Sequence, residues 1–163
     1  MRQGPFGVVA INQHIENILE TGHLISPARP CYCGQPVMIT RNHAQLRLYN
    51  GDIGLILADP DKNGELSAVF PDGAGQYRRF SPQRLPEYET VYAMTVHKSQ
   101  GSEFDTVLLV LSDRDASILT RELVYTGITR ARKQVSIWSA EDVFVSAISR
   151  RIQRTSGLRD ALW

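Results

Sequence analysis

Lysine is scarce in this chain. Only three lysines, Lys62, Lys98 and Lys133, occur among its 163 residues, and none of them follows a glycine. The phosphate-binding loop Gly-x-x-x-x-Gly-Lys-Ser/Thr needs such a lysine, because its ammonium neutralises a phosphate that the backbone amides of the loop surround. The chain therefore cannot supply a loop of this kind by itself.

Cysteines and long apolar runs are also few. Cys31 and Cys33 are separated by one residue, and such a pair lacks the four ligands of a structural zinc and rarely meets disulfide geometry. We expect no metal site. No run approaches the ~20 apolar residues of a membrane span, and no signal peptide is visible. We therefore expect a soluble, cytoplasmic protein that does not contact a membrane.

An excess of one charge sign is absent. The 18 basic and 17 acidic residues leave a net charge of +1, whereas a dedicated DNA-binding domain usually has a marked basic excess. Any contact with nucleic acid should therefore be local. Subtracting the three lysines leaves 15 arginines, a bias that suits phosphate or carboxylate recognition and that genome composition can also produce.

The first half of the chain combines one helix pattern with several strand patterns. Apolar spacing near 3.6 predicts a helix at residues 7–19, and a short apolar run predicts a core strand at residues 36–40. Three more strand-like runs are separated by turn sequences rich in Asp, Gly and Pro: residues 53–57, 66–70 and 77–80. This hairpin spacing predicts a small, separable β unit at residues 51–86.

The last part alternates strand and helix patterns. Strands are predicted at residues 91–96, 106–111 and 134–138, and helices at residues 121–132 and 141–154. Such alternation favours a three-layer α/β core with a parallel sheet. We expect residues 1–50 and 87–163 to form that core together.

Two polar blocks interrupt these elements: Thr-Val-His-Lys-Ser-Gln-Gly-Ser-Glu-Phe at residues 95–104, and Tyr-Thr-Gly-Ile-Thr-Arg-Ala-Arg at residues 125–132. They resemble motifs V and VI of superfamily 1 DNA helicases. Residues 4–12 resemble the neighbourhood of motif IV, and the runs at residues 36–42 and 50–52 are similar to those of RecD-like enzymes. The resemblance implies a RecA-like second motor domain without a P-loop, whose parallel sheet has helices on both faces. It also implies an SH3-like insertion at residues 51–86.

Arg130 is the candidate catalytic residue. The resemblance implies that it is an arginine finger at the γ-phosphate, where a planar cation stabilises the charge that develops in phosphoryl transfer. If residues 125–132 form a helix, Arg130 and Arg132 are roughly 160° apart around its axis and do not face one ligand. The alternative is a surface arginine that pairs with Glu122 or another carboxylate.

Gln100, Gly101 and Glu103 are the candidate nucleotide-binding residues. A glycine lets the backbone turn closely past a ligand. The resemblance implies that Glu103 accepts hydrogen bonds from ribose hydroxyls, as carboxylates do in other nucleotide sites. The alternative for Glu103 is a helix cap or a paired surface carboxylate.

Thr95, His97 and Ser99 match positions at which the family contacts phosphates of single-stranded DNA. Hydroxyl and ring N–H groups are suitable donors to phosphate oxygens, although such contacts carry no sequence information. A lone histidine is more often structural, and the role of Lys98 stays open.

The resemblance implies the C-terminal motor domain of an ATP-dependent 5′→3′ helicase, the α subunit of a bacterial exodeoxyribonuclease V that works with RecB and RecC in double-strand-break repair. ATP and Mg²⁺ would bind between this domain and an N-terminal motor domain, so we expect no ATPase activity from the chain alone. The alternatives are a stand-alone RecD-like or relaxase-type helicase, and an inert DNA-binding or assembly module.

Overall fold

The computed structural model describes residues 4–27, 31–73 and 75–152. The chain divides into two units, Met1–Thr95 and Val96–Trp163, and each has its own hydrophobic core. The last helix, predicted at residues 141–154, ends earlier: residues 150–152 are not helical, and residues 153–154 lie outside the described residues. Within the described part of the chain, no helix is long and apolar enough to cross a membrane.

The first unit opens with helix α1, Val8–Thr21, which confirms the helix predicted at residues 7–19. The helix ends at Gly22, whose backbone N–H donates to the carbonyl of Ile18. No residue of α1 is fully buried. Its attachment to the rest of the unit therefore depends on half-buried side chains, among them Asn12 and Glu16.

Five antiparallel strands form the sheet of the first unit, in the order β4-β3-β2-β1-β5. Their bounds are β1 Pro36–Ile39, β2 Ile53–Ala58, β3 Leu66–Pro71, β4 Tyr77–Phe80 and β5 Tyr88–Thr90. The three strands predicted within residues 51–86 are thereby confirmed. Because β2 also pairs with β1, the sheet extends beyond that segment. The SH3-like shape and the separability of residues 51–86 stay predictions.

The strand predicted at residues 36–40 forms, but its expected place in a parallel sheet is wrong. Strand β1 pairs antiparallel with β2 on one side and with β5 on the other, where Met38 lies opposite Ile53 and Glu89. Val37, Met38 and Ile39 are fully buried. An apolar run of this kind fits a parallel or an antiparallel neighbour equally well, so composition does not determine the strand direction.

The prediction of a strand at residues 91–96 is also wrong, because this segment forms no strand. Pairing with β1 ends at β5, and the backbone bends at residues 92–93. Instead of a neighbouring strand, the side chain of Asn12 satisfies both backbone groups of Ala93, at 2.9 Å each. A polar side chain on α1 thus replaces a strand partner.

The core of the first unit lies mainly on one face of this sheet and includes the fully buried Phe70 and Ile56. The Phe70 and Phe80 rings meet edge to face, with centroids 6.0 Å apart. Gly54 of β2 leaves the room that the Phe70 ring occupies, since a Cβ atom there would lie 2.8 Å from the ring. This close approach requires glycine.

The second unit is an α/β arrangement of two parallel strands and two helices: β6 Phe104–Val110, α2 Arg121–Ile128, β7 Ala131–Trp138 and α3 Glu141–Ser149. The core combines Leu109 of β6, Val124 of α2 and Val143 of α3. Helix α2 begins after Thr120, whose hydroxyl accepts from the N–H of Leu123 at 3.3 Å. This is the usual capping role of threonine.

Two further expectations for the second unit are corrected. Helix α2 ends at Ile128 instead of residue 132, and β7 begins at Ala131 instead of residue 134. The Phe104 N–H donates to the carbonyl of Arg130 at 2.8 Å, so the chain returns to β6 directly after the helix. Parallel pairing in the described residues is confined to β6 and β7, so the expected larger parallel sheet with helices on both faces is not observed there.

Candidate functional site

The first polar block forms a compact turn at residues 96–101, ahead of β6. Its backbone is closed by the Gln100 N–H donating to the His97 carbonyl at 3.3 Å and the Ser102 N–H donating to the Ser99 carbonyl at 3.0 Å. Gly101 has a φ of +86°, and no atom lies within 4 Å of where its Cβ would be. The predicted need for glycine is thus a conformational one, and the space beside it is open.

The three predicted DNA contacts occupy different environments. Thr95 is half-buried, and His97 is exposed. Ser99 is only 6% exposed, and its hydroxyl donates to the Val96 carbonyl at 2.8 Å. The Ser99 side chain therefore shapes the turn. Contact of these residues with DNA stays a prediction.

Arg130 lies in the connection between α2 and β7. Its guanidinium donates to three neutral oxygens: the Thr126 carbonyl at 3.2 Å, the Ser102 carbonyl at 3.3 Å and the Thr129 hydroxyl at 3.3 Å. Among the described residues, no carboxylate lies within ion-pair distance of it. The alternative pairing with Glu122 is not formed, because that carboxylate faces Arg121 and the Ile152 N–H. Arg130 thus holds a half-buried positive charge that no carboxylate in the described part of the chain neutralises.

Arg132 is paired with Glu103. Its Nε lies 3.0 Å from Oε2 of Glu103, and both side chains are more than half exposed. Because Arg132 belongs to β7, the helical projection that set it about 160° from Arg130 is wrong. The two arginines reach consecutive residues, Ser102 and Glu103. The paired surface carboxylate, one of the alternatives given for Glu103 from the sequence, is therefore observed.

A cavity of about 260 Å³ adjoins the turn in the second unit. His97 and Gln100 line it from the turn, and Glu122 and Thr126 line it from α2. The pKa of Glu122 lies below its ordinary value because its own backbone N–H and that of Ile152 donate to its carboxylate. His97 and Gln100 are predicted site residues from the sequence. Ser117 and Ile118 form another part of the cavity wall, and they were not predicted because they belong to no recognisable motif.

Arg150, which follows α3, forms hydrogen bonds to the residues on both sides of Ser117 and Ile118. Its Nη1 donates to the carbonyls of Ala116 and Leu119 at 2.6 and 3.0 Å, and to Oδ1 of Asp115 at 2.9 Å. Hydrogen bonds from Arg150 and Ser146 lower the pKa of Asp115 to about 2. The loop between β6 and α2 is therefore ordered by the end of α3.

No group of three His, Cys, Asp or Glu side chains in the described residues is placed to hold a metal ion. The arrangement instead offers an unneutralised arginine, an open glycine and hydrogen-bonding side chains at the start of β6. These groups fit one side of a site for a phosphate-bearing ligand. They do not form a complete nucleotide site, because the chain has no lysine after a glycine.

Comparison with known sequences identifies relatives for both polar blocks. Residues 90–138 match the family described as UvrD-like helicase C-terminal domain. The RecBCD enzyme subunit RecD of Mycobacterium tuberculosis is 42% identical over 97% of this chain and 27% of its own length. The same subunit of Haemophilus influenzae is 39% identical over 97% of this chain and 23% of its own. The ATP-dependent RecD2 DNA helicase of Deinococcus radiodurans is 32% identical over 99% of this chain and 22% of its own length.

A solved structure shares the fold. The Pif1 helicase from Bacteroides, in complex with ADP-AlF3 and ssDNA, superposes with a TM-score of 0.51 and 19% identity, covering 92% of this chain and 42% of that chain. The present chain spans about a quarter of the length of the RecD relatives that it matches. Taken with the family match at residues 90–138, these comparisons show that the chain belongs to the RecD family of superfamily 1 DNA helicases and corresponds to a C-terminal region of those proteins.

Proposed function

We propose that this chain is the second motor domain of an ATP-dependent 5′→3′ DNA helicase, the α subunit of an exodeoxyribonuclease V that acts in double-strand-break repair and recombination. It works with RecB, RecC and single-stranded DNA. ATP and Mg²⁺ bind between this domain and an N-terminal motor domain that carries the P-loop. The observation that carries the proposal is the unneutralised guanidinium of Arg130 in a region matched to helicase C-terminal domains.

The present hydrogen bonds of Arg130 are ones that its guanidinium could exchange for bonds to a phosphate. Its three bonds are 3.2 to 3.3 Å long and reach neutral oxygens. A phosphate adds a full negative charge and can accept two parallel bonds from the guanidinium, which a neutral carbonyl or hydroxyl cannot do. Because no ion pair has to be broken first, Arg130 can act as the arginine finger at low cost. Bound Mg²⁺ would neutralise phosphate charge alongside it.

Gln100, Gly101 and Glu103 supply the remaining nucleotide contacts in this proposal. The open space at Gly101 admits a ligand beside the backbone. Glu103 gives one oxygen to Arg132, and an ionised carboxylate retains further acceptor sites for ribose hydroxyls. Arg132 then orients the carboxylate without touching the nucleotide.

Thr95 and His97 are the proposed donors to DNA phosphates, and Ser99 supports them by closing the turn. Contacts to the sugar–phosphate backbone are independent of base sequence, as a translocating motor requires. The net charge of +1 fits a domain in which a few local donors, instead of a basic face, hold the strand.

A stand-alone helicase is the second candidate. It is favoured by the 32% identity to the Deinococcus radiodurans protein named as an ATP-dependent RecD2 DNA helicase. The two candidates differ in assembly: co-purification of the full-length protein with RecB and RecC supports the subunit, and a monomeric, active helicase supports the alternative. An inert module would show neither property nor any ATPase activity.

The test of the arginine finger uses the full-length protein that carries this chain, assembled with its partner subunits. Arg130→Ala should leave ATP binding nearly intact and lower ATPase turnover on single-stranded DNA by about 10³ to 10⁵. Arg130→Lys should restore little of it, because a point charge does not reproduce the planar fork. The P-loop of any second motor subunit is disabled so that its hydrolysis does not mask the result.

Arg132→Ala is the matched control, since it removes an arginine of similar sequence context that already has a carboxylate partner. It should reduce turnover far less than Arg130→Ala. Equal turnover of the two alanine variants, near the wild-type value, would refute the assignment.

A further inference from the structure

Asn12 of α1 holds the backbone that leads into the first polar block. Its Oδ1 accepts from the N–H of Ala93 at 2.9 Å, and its Nδ2 donates to the carbonyl of the same residue at 2.9 Å. Nδ2 also donates to the Val8 carbonyl within α1 at 2.8 Å, which fixes the orientation of the amide. One side chain therefore satisfies both backbone groups of a residue that has left the sheet.

A second contact lies one helical turn along α1. Residues four apart on a helix share a face, and Glu16 accepts a hydrogen bond from the Tyr32 hydroxyl. That hydroxyl in turn lies 3.2 Å from the hydroxyl of Tyr92. Burial of Tyr32, followed by its hydrogen bond to Glu16, raises the pKa of its hydroxyl. The α1 face that holds Ala93 is thus connected to Tyr92 as well.

The preceding two residues are held from the start of β1 and from the residue before it. Gln35 Nε2 donates to the Thr90 hydroxyl at 2.8 Å, and the Val91 N–H donates to the Pro36 carbonyl at 3.0 Å. Each residue from 90 to 93 therefore has a separate polar attachment within the first unit. Thr95, the first predicted phosphate donor, follows two residues later.

We propose that Asn12 is a positioning residue for DNA binding: by fixing the backbone of Ala93, it sets where Thr95 presents its donor to a phosphate. The inference rests on the proposed function. Asparagine suits this role because its planar amide has one acceptor and one donor group, which match the N–H and carbonyl of a single residue. Aspartate lacks the donor, and alanine lacks both groups.

The test measures DNA-stimulated ATPase activity of the full-length helicase against the concentration of single-stranded oligonucleotide. Asn12→Ala and Asn12→Asp should each raise the half-saturating DNA concentration about tenfold, since two hydrogen bonds that order the segment are lost or weakened. The maximum rate at saturating DNA should stay within about twofold, because the ATP contacts are untouched. Asn17→Ala changes an exposed asparagine of the same helix and should alter neither value.

Hydrogen exchange of the Ala93 amide gives a second measurement that does not depend on activity. Exchange should accelerate in Asn12→Ala and stay slow in Asn12→Asp, which keeps the acceptor for that amide. An unchanged half-saturating concentration, or a loss of maximum rate alone, would overturn the inference, because general destabilisation removes active molecules without weakening DNA binding in the remainder. A wild-type protein without DNA-stimulated ATPase activity would instead count against the proposed function.

Discussion

Glu103 and Arg132 form an ion pair, with 3.0 Å between Oε2 and Nε, while the partners of Arg130 among residues 4–27, 31–73 and 75–152 are all neutral. The two arginines are separated by Ala131 alone, yet one charge is neutralised and the other is not. In this chain the two arginines therefore have different electrostatic surroundings. The pairing is the reason for proposing Arg130, and not Arg132, as the residue that contacts phosphate.

This pairing predicts separable effects on ATP binding. Glu103→Gln in the full-length protein should raise the KM for ATP roughly tenfold with little change in kcat, because a ribose contact binds the ground state and the transition state equally. Arg132→Ala should raise KM less than that, since Glu103 remains. Steady-state kinetics at saturating DNA measures both values.

Thermal unfolding controls for stability in these variants. An exposed ion pair contributes roughly 0 to 1 kcal/mol, so neither change should lower the melting temperature appreciably. A fall in kcat for Glu103→Gln that matches the loss of kcat/KM would show that the carboxylate acts in the chemical step and would contradict its assignment to ribose.

The interaction between Asp115 and Arg150 should make the stability of the fold depend on pH in the acid range. The pKa of Asp115 is lowered to about 2 by hydrogen bonds from Arg150 and Ser146, below the ordinary value near 4. A lowered pKa in the folded state stabilises the fold above the ordinary value, and this contribution is lost as pH falls from about 4 to about 2.

Asp115→Asn should therefore lower the melting temperature at pH 7. The difference in melting temperature between variant and wild type should narrow as pH falls from about 4 to about 2. Asp113→Asn, at an exposed neighbouring position, serves as the control and should leave the melting temperature unchanged. A gap that stays constant from pH 7 to pH 2 would show that the carboxylate charge contributes nothing.

Gly54 predicts a steric effect in the first unit. A Cβ atom at this position would lie 2.7 Å from the Val69 carbonyl oxygen and 2.8 Å from the Phe70 ring. Gly54→Ala should therefore cost about 1 to 3 kcal/mol, as overpacking of a core does. Chemical denaturation of the 163-residue chain measures the free energy of unfolding.

Gly64→Asn is the matched control. Gly64 has a φ of +83° with nothing within 4 Å of its would-be Cβ, and asparagine tolerates that backbone conformation. The control should change the free energy of unfolding by less than about 0.5 kcal/mol. Equal losses in both variants would point to the flexibility of glycine instead of contact with Phe70.

Local signals explain what the sequence could predict. The strands between residues 53 and 80 were recoverable because turn sequences such as Asp-Lys-Asn-Gly mark their ends. The bend at Ala93 was not, because the side chain that replaces its strand partner is 81 positions away in sequence. The end of α2 was missed since Thr129 to Arg132 continue a helical pattern, while pairing with β6 draws Ala131 into a strand.

The site shows the same division. The order of the two polar blocks is sufficient to predict Arg130, Gln100 and Gly101 as site residues, and their roles stay predictions. The different surroundings of Arg130 and Arg132, and the burial of Ser99, depend on which backbone carbonyls and carboxylates lie within reach. Such distances arise only when β6 and β7 pair, so no local pattern in either block records them.

Arg150 adds contacts from beyond the loop to those that the loop between β6 and α2 makes within itself. The guanidinium binds carbonyls at Ala116 and Leu119, and the Arg150 carbonyl accepts from the Arg121 N–H. Loss of that one side chain would therefore allow the cavity wall at Ser117 and Ile118 to open by local unfolding, while α2 and α3 keep their packed core. The residue that keeps this cavity in shape lies outside it.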